Sequence, residues 1–412
     1  MDPVAAQYEA YPYPARDPAE ETHRLIEGSP SHPVEIDHYL FGGKRDWSQP
    51  FRALVAGGGT GDATVMLAQK LADIRAPAEI VHLDTSRAAR AVAEARVAAR
   101  GLSSVRFVTA DLLTAPEYGP FDYVDCCGVL HHLLDPDAGF RALAACLKPD
   151  GGLGLMVYAP HGRTGVYALQ DAFGTLLADD PPEAKVALAR KAVDALPATN
   201  WLQRNPFVGD HRHSDAGLYD LLLHARDRPY GIEDLVAALR RAGLAPVSTL
   251  EPIRYDPLQY LPADPEIVAR VRRLSPVQRM GLAERLAGNV KLHVVYAVPA
   301  ARREAVTPAL ATPCRDDEAS VARLRADPQA IATQVASHGR LAAKLDGLTL
   351  GLSFGPAPLA KARAGVIARL DGRPLGEVFA AVPQADAAAD WPRLRTLLEA
   401  FNLVHMSRGA ER

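Results

Sequence analysis

The chain has 412 residues, of which 48% are hydrophobic and 23% charged, and its formal net charge is −3. That length allows about two to three domains with a sizeable core, and the charge gives no electrostatic reason to expect a nucleic-acid partner. The four cysteines lack C-x-x-C spacing, no secretion signal is recognisable, and no apolar run approaches the ~18 residues of a membrane helix. We therefore expect a cytoplasmic protein with neither a nucleic-acid nor a membrane partner.

Strand and helix signals alternate from residue 52 to residue 158, after an arm of 50 residues with little periodicity. Short apolar runs favour strands, and the Ala-rich segments between them favour helices. The predicted strands lie at 52–56, 79–83, 105–108, 121–127 and 153–158, and the predicted helices at 64–72, 88–100 and 138–147. Alternation of this kind predicts a mostly parallel sheet with helices on both faces.

The alternation breaks after Pro160, where residues 161–230 hold two helical stretches and a polar segment. An insertion of this size in an α/β domain more often caps a pocket than extends the sheet. Two further strands, at 245–250 and 290–298, bring the sheet to seven, with helices predicted at 232–242 and 265–287. Residues 299–313 are typical of a linker, and 314–412 of a separate, mostly helical unit.

A glycine-rich segment, GGGTGD at residues 57–62, joins the first predicted strand to the first predicted helix. Glycine lets the backbone turn tightly there and lets a ligand approach without a Cβ in the way. The dinucleotide fingerprint G-x-G-x-x-G would require a glycine at position 62, where Asp62 stands. A carboxylate at the start of a helix repels a pyrophosphate, so the loop favours a ligand without phosphates.

Two carboxylates follow the next two strands. Asp84 ends the second strand, where it can accept hydrogen bonds from both ribose hydroxyls of an adenosine. Asp111 ends the third strand, where it can accept one from an adenine amine. Because ligands of open α/β sheets bind outside the carboxyl ends of the strands, these groups indicate an adenosine-containing ligand.

Together these motifs resemble the class I S-adenosylmethionine (SAM)-dependent methyltransferases over residues 52–160, and less distinctly to about 298. The fourth strand with its loop, at 121–133, and the segment LKPDGG at 147–152 also resemble that family. The resemblance implies SAM as the cofactor. The cofactor-binding residues that it implies are Ala56, Gly57, Gly59, Gly61, Asp84, Thr85, Asp111, Leu112, Cys127 and Gly128.

The implied fold is α/β: a Rossmann-like, mostly parallel seven-stranded sheet with helices on both faces. The methyltransferase domain would span 51–300, with the helical cap at 161–230 inserted in it. The smaller, mostly helical C-terminal domain, 314–412, would be an accessory unit resembling a winged helix. Residues 1–50 resemble a Tyr…Pro-Tyr-Pro arm of some larger bacterial methyltransferases, and we expect this arm over the pocket unless it is a disordered leader.

One departure from the family leaves alternatives open. Val55 stands where the family often has an acid, two residues before the first glycine. A non-catalytic SAM-binding sensor or interaction protein is therefore the second hypothesis, and a nicotinamide-dependent oxidoreductase the third. The methyl acceptor is either a protein or peptide side chain or a small molecule, and the oligomeric state is open.

Candidate catalytic groups follow the fourth and fifth strands. His131, Tyr158 and His161 lie near the predicted crevice, where an imidazole can take a proton near pH 7; packing is the alternative role for each. The H-x-H at 211–213 lacks a third ligand at a recognisable spacing, so we expect no metal site. The residues expected to contact the acceptor are Tyr11, Tyr13, His132, Arg163, His211 and His213.

Overall fold

The computed structural model describes residues 3–302, 316, 318–382 and 386–408. The chain divides into two compact units. The first comprises Met1–His32, Trp47–Leu244 and Gly288–Val294, and the second Pro33–Asp46, Ala245–Ala287 and Val295–Arg412. Most of the linker predicted at 299–313, and residues 314 and 315 of the predicted C-terminal domain, lie outside the described residues.

Seven strands form the main sheet. They are β1 (Phe51–Ala56), β2 (Ala78–Asp84), β3 (Val105–Thr109), β4 (Phe121–Cys127), β5 (Leu147–Tyr158), β6 (Leu244–Thr249) and β7 (Leu292–Pro299). Their order is β3-β2-β1-β4-β5-β7-β6. The pairs β1–β2, β1–β4, β2–β3 and β4–β5 are parallel, which confirms the predicted Rossmann-like fold.

The sequences of the central strands are almost continuously apolar because both faces of these strands are buried. Phe51, Leu54 and Val124 on β1 and β4 have no exposed surface, as expected for parallel strands covered by helices. β5 begins well before the predicted residue 153, because the LKPDGG segment already belongs to the strand. Its pairing with β4 shifts register between Phe121 and Tyr123.

Two of the helices that follow strands of the sheet begin at a capping side chain. Ser86 begins the helix after β2 by accepting the N–H of Ala89, and Asp135 begins the helix after β4 by accepting that of Ala138. The helices of the described chain are α1 (Pro3–Ala10), α2 (Pro33–Phe41), α3 (Asp62–Asp73), α4 (Arg87–Ala99), α5 (Pro136–Ala145), α6 (Val166–Leu176), α7 (Pro182–Asp194), α8 (Trp201–Arg204), α9 (Asp215–Leu222), α10 (Ile232–Arg241), α11 (Pro265–Arg273), α12 (Pro276–Ala287), α13 (Pro328–His338), α14 (Ala357–Ile367), α15 (Leu375–Ala380) and α16 (Ala387–Glu399). Across the described ranges, none of them is both long and apolar enough to cross a membrane.

The insertion predicted as a cap, residues 161–230, contains α6 to α9. These helices surround an apolar cluster of their own that includes Phe173, Val186 and Leu218. On α9 every residue from Ala216 to Leu222 is buried, although one of them, Asp220, is charged. This helix therefore brings a carboxylate into the interior of the first unit.

The second unit contains helices α13 to α16 and five strands that lie outside the main sheet. The strands are β8 (Ser320–Leu324), β9 (Arg340–Leu345), β10 (Leu348–Ser353), β11 (Asp371–Pro374) and β12 (Val404–Arg408). β9 and β10 form an antiparallel pair, and the other three a sheet in the order β11-β8-β12. Helix predominates among the described residues of this region, as predicted, while its winged-helix character stays a prediction.

The core of the second unit gives a test of its packing. Phe354 has no exposed surface and lies in an apolar cluster with Trp391 and Val404. Replacing a buried Phe with Ala removes apolar contacts and leaves a cavity, at a cost of about 3–5 kcal/mol. We expect Phe354→Ala to lower the free energy of unfolding by that amount in urea titrations. Leu286→Ala, at a position that is 41% exposed, should lower it by less than about 1 kcal/mol.

Candidate active site

A cavity of about 330 Å³ lies at the carboxyl ends of the central strands. The loops after β1, β2, β3 and β4 line it, together with residues of the N-terminal arm and of α9. In open α/β sheets this is the place where ligands bind. The predicted site residues that line it are Tyr13, Gly57, Gly59, Asp84, Thr85, Asp111, Leu112, Cys127, Gly128, His132 and Tyr158.

The glycine loop lies where other parts of the chain approach its backbone closely. Gly57 has φ +71°, and a Cβ there would come within 2.4 Å of a Val129 methyl group. Gly59 has φ +52°, and its Cβ would lie 2.9 Å from the carbonyl oxygen of Tyr13. A side chain at either position would displace its neighbour and strain the backbone. The loop therefore keeps the cavity open and admits the arm beside it.

Asp84 and Asp111 are held in place by backbone N–H groups. Gly59 donates to one carboxylate oxygen of Asp84 at 2.7 Å, and Ser86 to the other at 2.8 Å. Burial raises the pKa of the Asp84 carboxyl, against those hydrogen bonds. Asp111 is exposed and accepts the N–H of Leu113 at 2.8 Å. Each carboxylate keeps lone pairs with which to accept hydroxyl or amine donors from a ligand.

Asp62, the acid that breaks the dinucleotide fingerprint, is neutralised by two arginines. The Arg16 guanidinium in the arm donates two hydrogen bonds to it, at 2.8 and 2.6 Å, and Arg96 on α4 donates one at 2.7 Å. Burial opposes ionisation, but these hydrogen bonds hold the pKa of Asp62 below its ordinary value. The carboxylate at the start of α3 thus anchors the arm beside the glycine loop.

The arm makes further polar contacts beside the cavity. Thr60 donates its hydroxyl to the carbonyl of Pro14 at 2.7 Å. The Glu9 carboxylate accepts the N–H of Arg87 at 2.9 Å and that of Ala88 at 3.2 Å, at the start of α4. An anion is favoured at a helix N-terminus, and these hydrogen bonds lower the pKa of Glu9.

Tyrosines of the arm and of β5 meet a buried carboxylate at the end of the cavity nearest the cap. The Tyr8 hydroxyl donates to one oxygen of Asp220 at 2.9 Å, and the Tyr158 hydroxyl lies 3.4 Å from the other. Asp220 is 4% exposed, and burial raises the pKa of its carboxyl. His132 lines the same end of the cavity. We call Tyr8, Tyr158, Asp220 and His132 the acceptor-end cluster.

The remaining predicted site residues do not line the cavity. Ala56 is the last residue of β1 and Gly61 directly precedes α3. His131 is fully buried, 4.1 Å from the His132 ring between centroids, and His161 is half-buried. Arg163 lies 3.6 Å above the ring centre of Tyr158 and forms an ion pair with Asp227 at 3.3 Å.

Three residues that were predicted to contact the substrate lie in the cap or against one of its helices. Tyr11 stacks on Tyr219 with ring centroids 5.1 Å apart. His211 is buried and His213 is exposed, and neither side chain lines the cavity. These placements leave Tyr13 as the predicted arm tyrosine that borders the cavity.

Tyr8, Asp220 and Asp125 are among the cavity residues that were not predicted. Tyr8 lies in the same arm motif as Tyr13, so that its aromatic character was a usable signal. Asp220 is the one carboxylate among the apolar residues that end α9. A charged residue is unusual in a buried helix, and this was a usable signal. Asp125 lies two residues before the end of β4, is 1% exposed and accepts the hydroxyl of Ser31 at 2.5 Å. Burial raises the pKa of Asp125 to about 6.

Comparison with known proteins agrees with this geometry. Residues 54–153 match the family model described as a methyltransferase domain. An uncharacterized protein from Synechococcus sp. is 31% identical over 295 residues, 69% of this chain and 68% of that protein. The ubiquinone biosynthesis O-methyltransferase of Ralstonia nicotianae is 37% identical over 78 residues, 19% of this chain and 33% of that enzyme.

Among solved structures, PKMT2 from Rickettsia typhi shares the fold. Its TM-score is 0.63 at 13% sequence identity, over 93% of this chain and 77% of that one. The strand order and the family match point to the same class of protein as the glycine loop and the two acids at the strand ends. The chain belongs to the class I SAM-dependent methyltransferases, whose cofactor is SAM.

A buried histidine beneath the glycine loop makes the stability of the fold depend on pH. His82 has no exposed surface, and a Cβ at Gly58 would come within 2.4 Å of its ring. Its Nδ1 lies 2.8 Å from the Thr64 hydroxyl, and its Nε2 has no hydrogen-bond partner among the described residues. Burial lowers the pKa of His82 to about 4, so the folded state holds this ring neutral.

We expect acid to destabilise the fold through His82. The unfolded state takes up the proton near pH 6.5 and the folded state only near pH 4, so this contribution is complete above 6.5 and is lost as the pH falls to 4. Its size is about 3 kcal/mol. Denaturant titrations from pH 7 to 4 should show a flatter pH dependence for His82→Gln. His213→Gln, at an exposed position, should keep the wild-type slope; equal slopes in all three proteins would contradict the assignment.

Proposed function

We propose that this protein transfers the methyl group of SAM to an acceptor bound in the same cavity. The observation that supports this best is the placement of Gly57, Gly59, Asp84 and Asp111 around one cavity at the carboxyl ends of β1, β2 and β3. The acceptor is a protein side chain or a small molecule, and it enters at the acceptor-end cluster.

Different cavity residues would bind different parts of the cofactor. Asp84 would accept from the ribose hydroxyls and Asp111 from the adenine amine, with Thr85 and Leu112 beside them. The cavity-lining backbone of Gly57, Gly59 and Gly128 would hold the methionine portion, supported by Ala56, Gly61 and Cys127. SAM supplies an electrophilic methyl group on a sulfonium, and the protein's task is to align the acceptor and to exclude water.

The acceptor-end cluster supplies the groups that could orient the acceptor. Tyr158 lines the cavity, and the Arg163 guanidinium lies over the face of its ring. His131 packs against the rings of both His132 and Tyr158, with centroids 4.1 and 4.3 Å away. We assign Tyr158 a direct role at the acceptor, while His131 would act by positioning its two neighbours. His161 stays a candidate outside the cavity lining.

Asp84 gives the first test. Asp84→Ala removes the proposed ribose acceptor and frees the Gly59 N–H, so we expect the affinity for SAM to fall at least about 10-fold in calorimetry. Glu79→Gln is the matched control, because Glu79 lies on the same strand at the opposite end. Unchanged affinity in the Asp84 variant would contradict the assignment of the ribose.

Turnover is tested separately with SAM carrying a labelled methyl group. Incubation of the protein with cell extract should transfer the label to an acceptor, and Asp84→Ala should reduce this transfer. Binding of SAM without any labelled product would favour the sensor hypothesis. That hypothesis is supported by Val55, which lines the cavity at the position where the family often has an acid. Binding of NADH in place of SAM would contradict both.

The arm gives the second test. Tyr8, Tyr13 and Pro14 line the cavity, and the Arg16–Asp62 ion pair fixes the arm at the glycine loop. Deleting residues 1–15 should therefore weaken SAM binding by about 10-fold or more and abolish labelled transfer. Arg24→Met, which removes an exposed ion pair with Glu20 in the arm, should change neither; normal binding and transfer by the deletion variant would show that the arm is dispensable.

A further inference from the structure

Asp220 is a buried carboxylate that forms no ion pair within the described residues, although Arg163 and His132 act on it from farther away. Its two oxygens receive the hydroxyls of Tyr8 and Tyr158, and no Arg, Lys or His nitrogen of the described residues lies within 4.0 Å of them. Removing an ionised carboxylate from water is costly unless an opposite charge accompanies it. Because Asp220 lines the cavity, the place for that charge is within the cavity itself.

The nearest buried arginine is already matched. Arg163 lies 3.3 Å from the Asp227 carboxylate, and the two side chains are 5% and 0% exposed. The guanidinium also covers the face of Tyr158 at 3.6 Å. When the Asp220 carboxyl is ionised, its charge is therefore the one that is not matched among Arg163, Asp227 and Asp220. A ligand bearing one positive charge would complete the balance.

Tyrosine side chains also border this cavity. Tyr8, Tyr13 and Tyr158 all line the cavity. The faces of tyrosine rings attract cations, and aromatic cages in proteins bind ammonium groups with methyl substituents. A carboxylate with several tyrosines therefore suits an ammonium group better than it suits a phenol or a carboxylic acid.

The imidazoles beside Asp220 have defined tautomers. His132 Nδ1 lies 2.8 Å from the Arg226 carbonyl and must donate to it, which leaves a lone pair on its Nε2. His224 Nδ1 accepts the Arg226 N–H at 3.0 Å, so its Nε2 carries the proton and points to the Tyr8 oxygen at 3.2 Å. Ligand atoms of His132, Asp220 and His224 lie within 4.8 Å of one another, but only one of the two imidazoles offers a lone pair. This favours an N–H donor over a divalent metal ion.

We propose that the methyl acceptor is an amine, which enters the cavity as an ammonium ion beside Asp220 and within the tyrosines of the acceptor-end cluster. The proposal rests on the methyl transfer proposed above. A lysine side chain and a free small amine present the same ammonium chemistry, and the test below separates these sources.

The step balances with the groups present. The ammonium ion gives one proton to the Asp220 carboxylate, whose pKa burial raises. The neutral nitrogen then attacks the methyl carbon as the carbon–sulfur bond breaks, and that electron pair returns to sulfur to give S-adenosylhomocysteine. The positive charge passes to the methylated ammonium product, and the proton on Asp220 leaves to solvent after release.

Binding to the S-adenosylhomocysteine complex tests the proposal without turnover. The probes are Nα-acetyl-lysinamide against Nα-acetyl-norleucinamide, and n-butylamine against 1-butanol, each pair differing in the amine. We expect at least one amine to bind 10-fold or more tightly than its neutral partner. Preference in the first pair alone would indicate a lysine side chain, and in the second alone a small amine. If neither amine is preferred, the proposal is wrong.

Asp220→Asn should abolish that preference while leaving the affinity for S-adenosylhomocysteine within about 3-fold. Asp215→Asn, on the same helix in an exposed ion pair with Arg190, is the control. An equal loss of cofactor affinity in Asp220→Asn would mean that the carboxylate serves the methionine ammonium, which overturns the proposal. Failure of the wild-type protein to bind the cofactor would instead refute the proposed function. If Asp220→Asn does not fold, the wild-type probe pairs still decide the matter.

A metal ion is the remaining competitor. Dialysis against EDTA should leave the amine preference unchanged. A stoichiometric divalent metal in the purified protein, whose removal abolishes probe binding, would assign the cluster to that metal and overturn the amine proposal.

Discussion

The parallel pairing of β1 with β2 on one side and with β4 on the other is the constraint on which the site depends. Successive connections leave β1 and β4 in opposite directions along the sheet, so that a crevice opens where the two strands end. Gly57 and Gly59 keep this crevice open, because any side chain there would meet Val129 or the arm. The strand order thus creates the cavity, and the glycines preserve it.

The part of the site that depends on this crevice could be predicted from sequence. Gly57, Asp84 and Asp111 each lie directly after a strand whose apolar pattern is legible, and parallel strands bring their carboxyl ends to one edge. The strands themselves were legible for the same reason, since both faces of β1 and β4 are buried. In the second unit the strands are short, and β11 reads Asp-Gly-Arg-Pro, which carries no strand pattern. A strand of this composition cannot be recognised from its residue pattern.

The acceptor end could not be predicted in the same way. The hydroxyl of Tyr8 meets the carboxylate of Asp220 across 212 positions of sequence, and no local pattern connects the arm to the cap. Periodicity places α9 as a buried helix but does not say which cavity its one interior charge faces. Likewise His131 and His132 are neighbours in sequence with the same chemistry. Only the turn after β4 decides that His132 faces the cavity while His131 packs behind it.

Charge pairing separates the two ends of the cavity. At the cofactor end, Asp62 is matched by Arg16 and Arg96, so that its charge holds the arm in place. At the other end, Arg163 is matched by Asp227, and within the described part of the chain Asp220 receives two tyrosine hydroxyls and no ion pair. A structure selected for stability alone would gain by replacing an unmatched buried carboxylate with an apolar or amide side chain. Its presence in a ligand cavity is therefore best explained by a ligand that brings the missing charge.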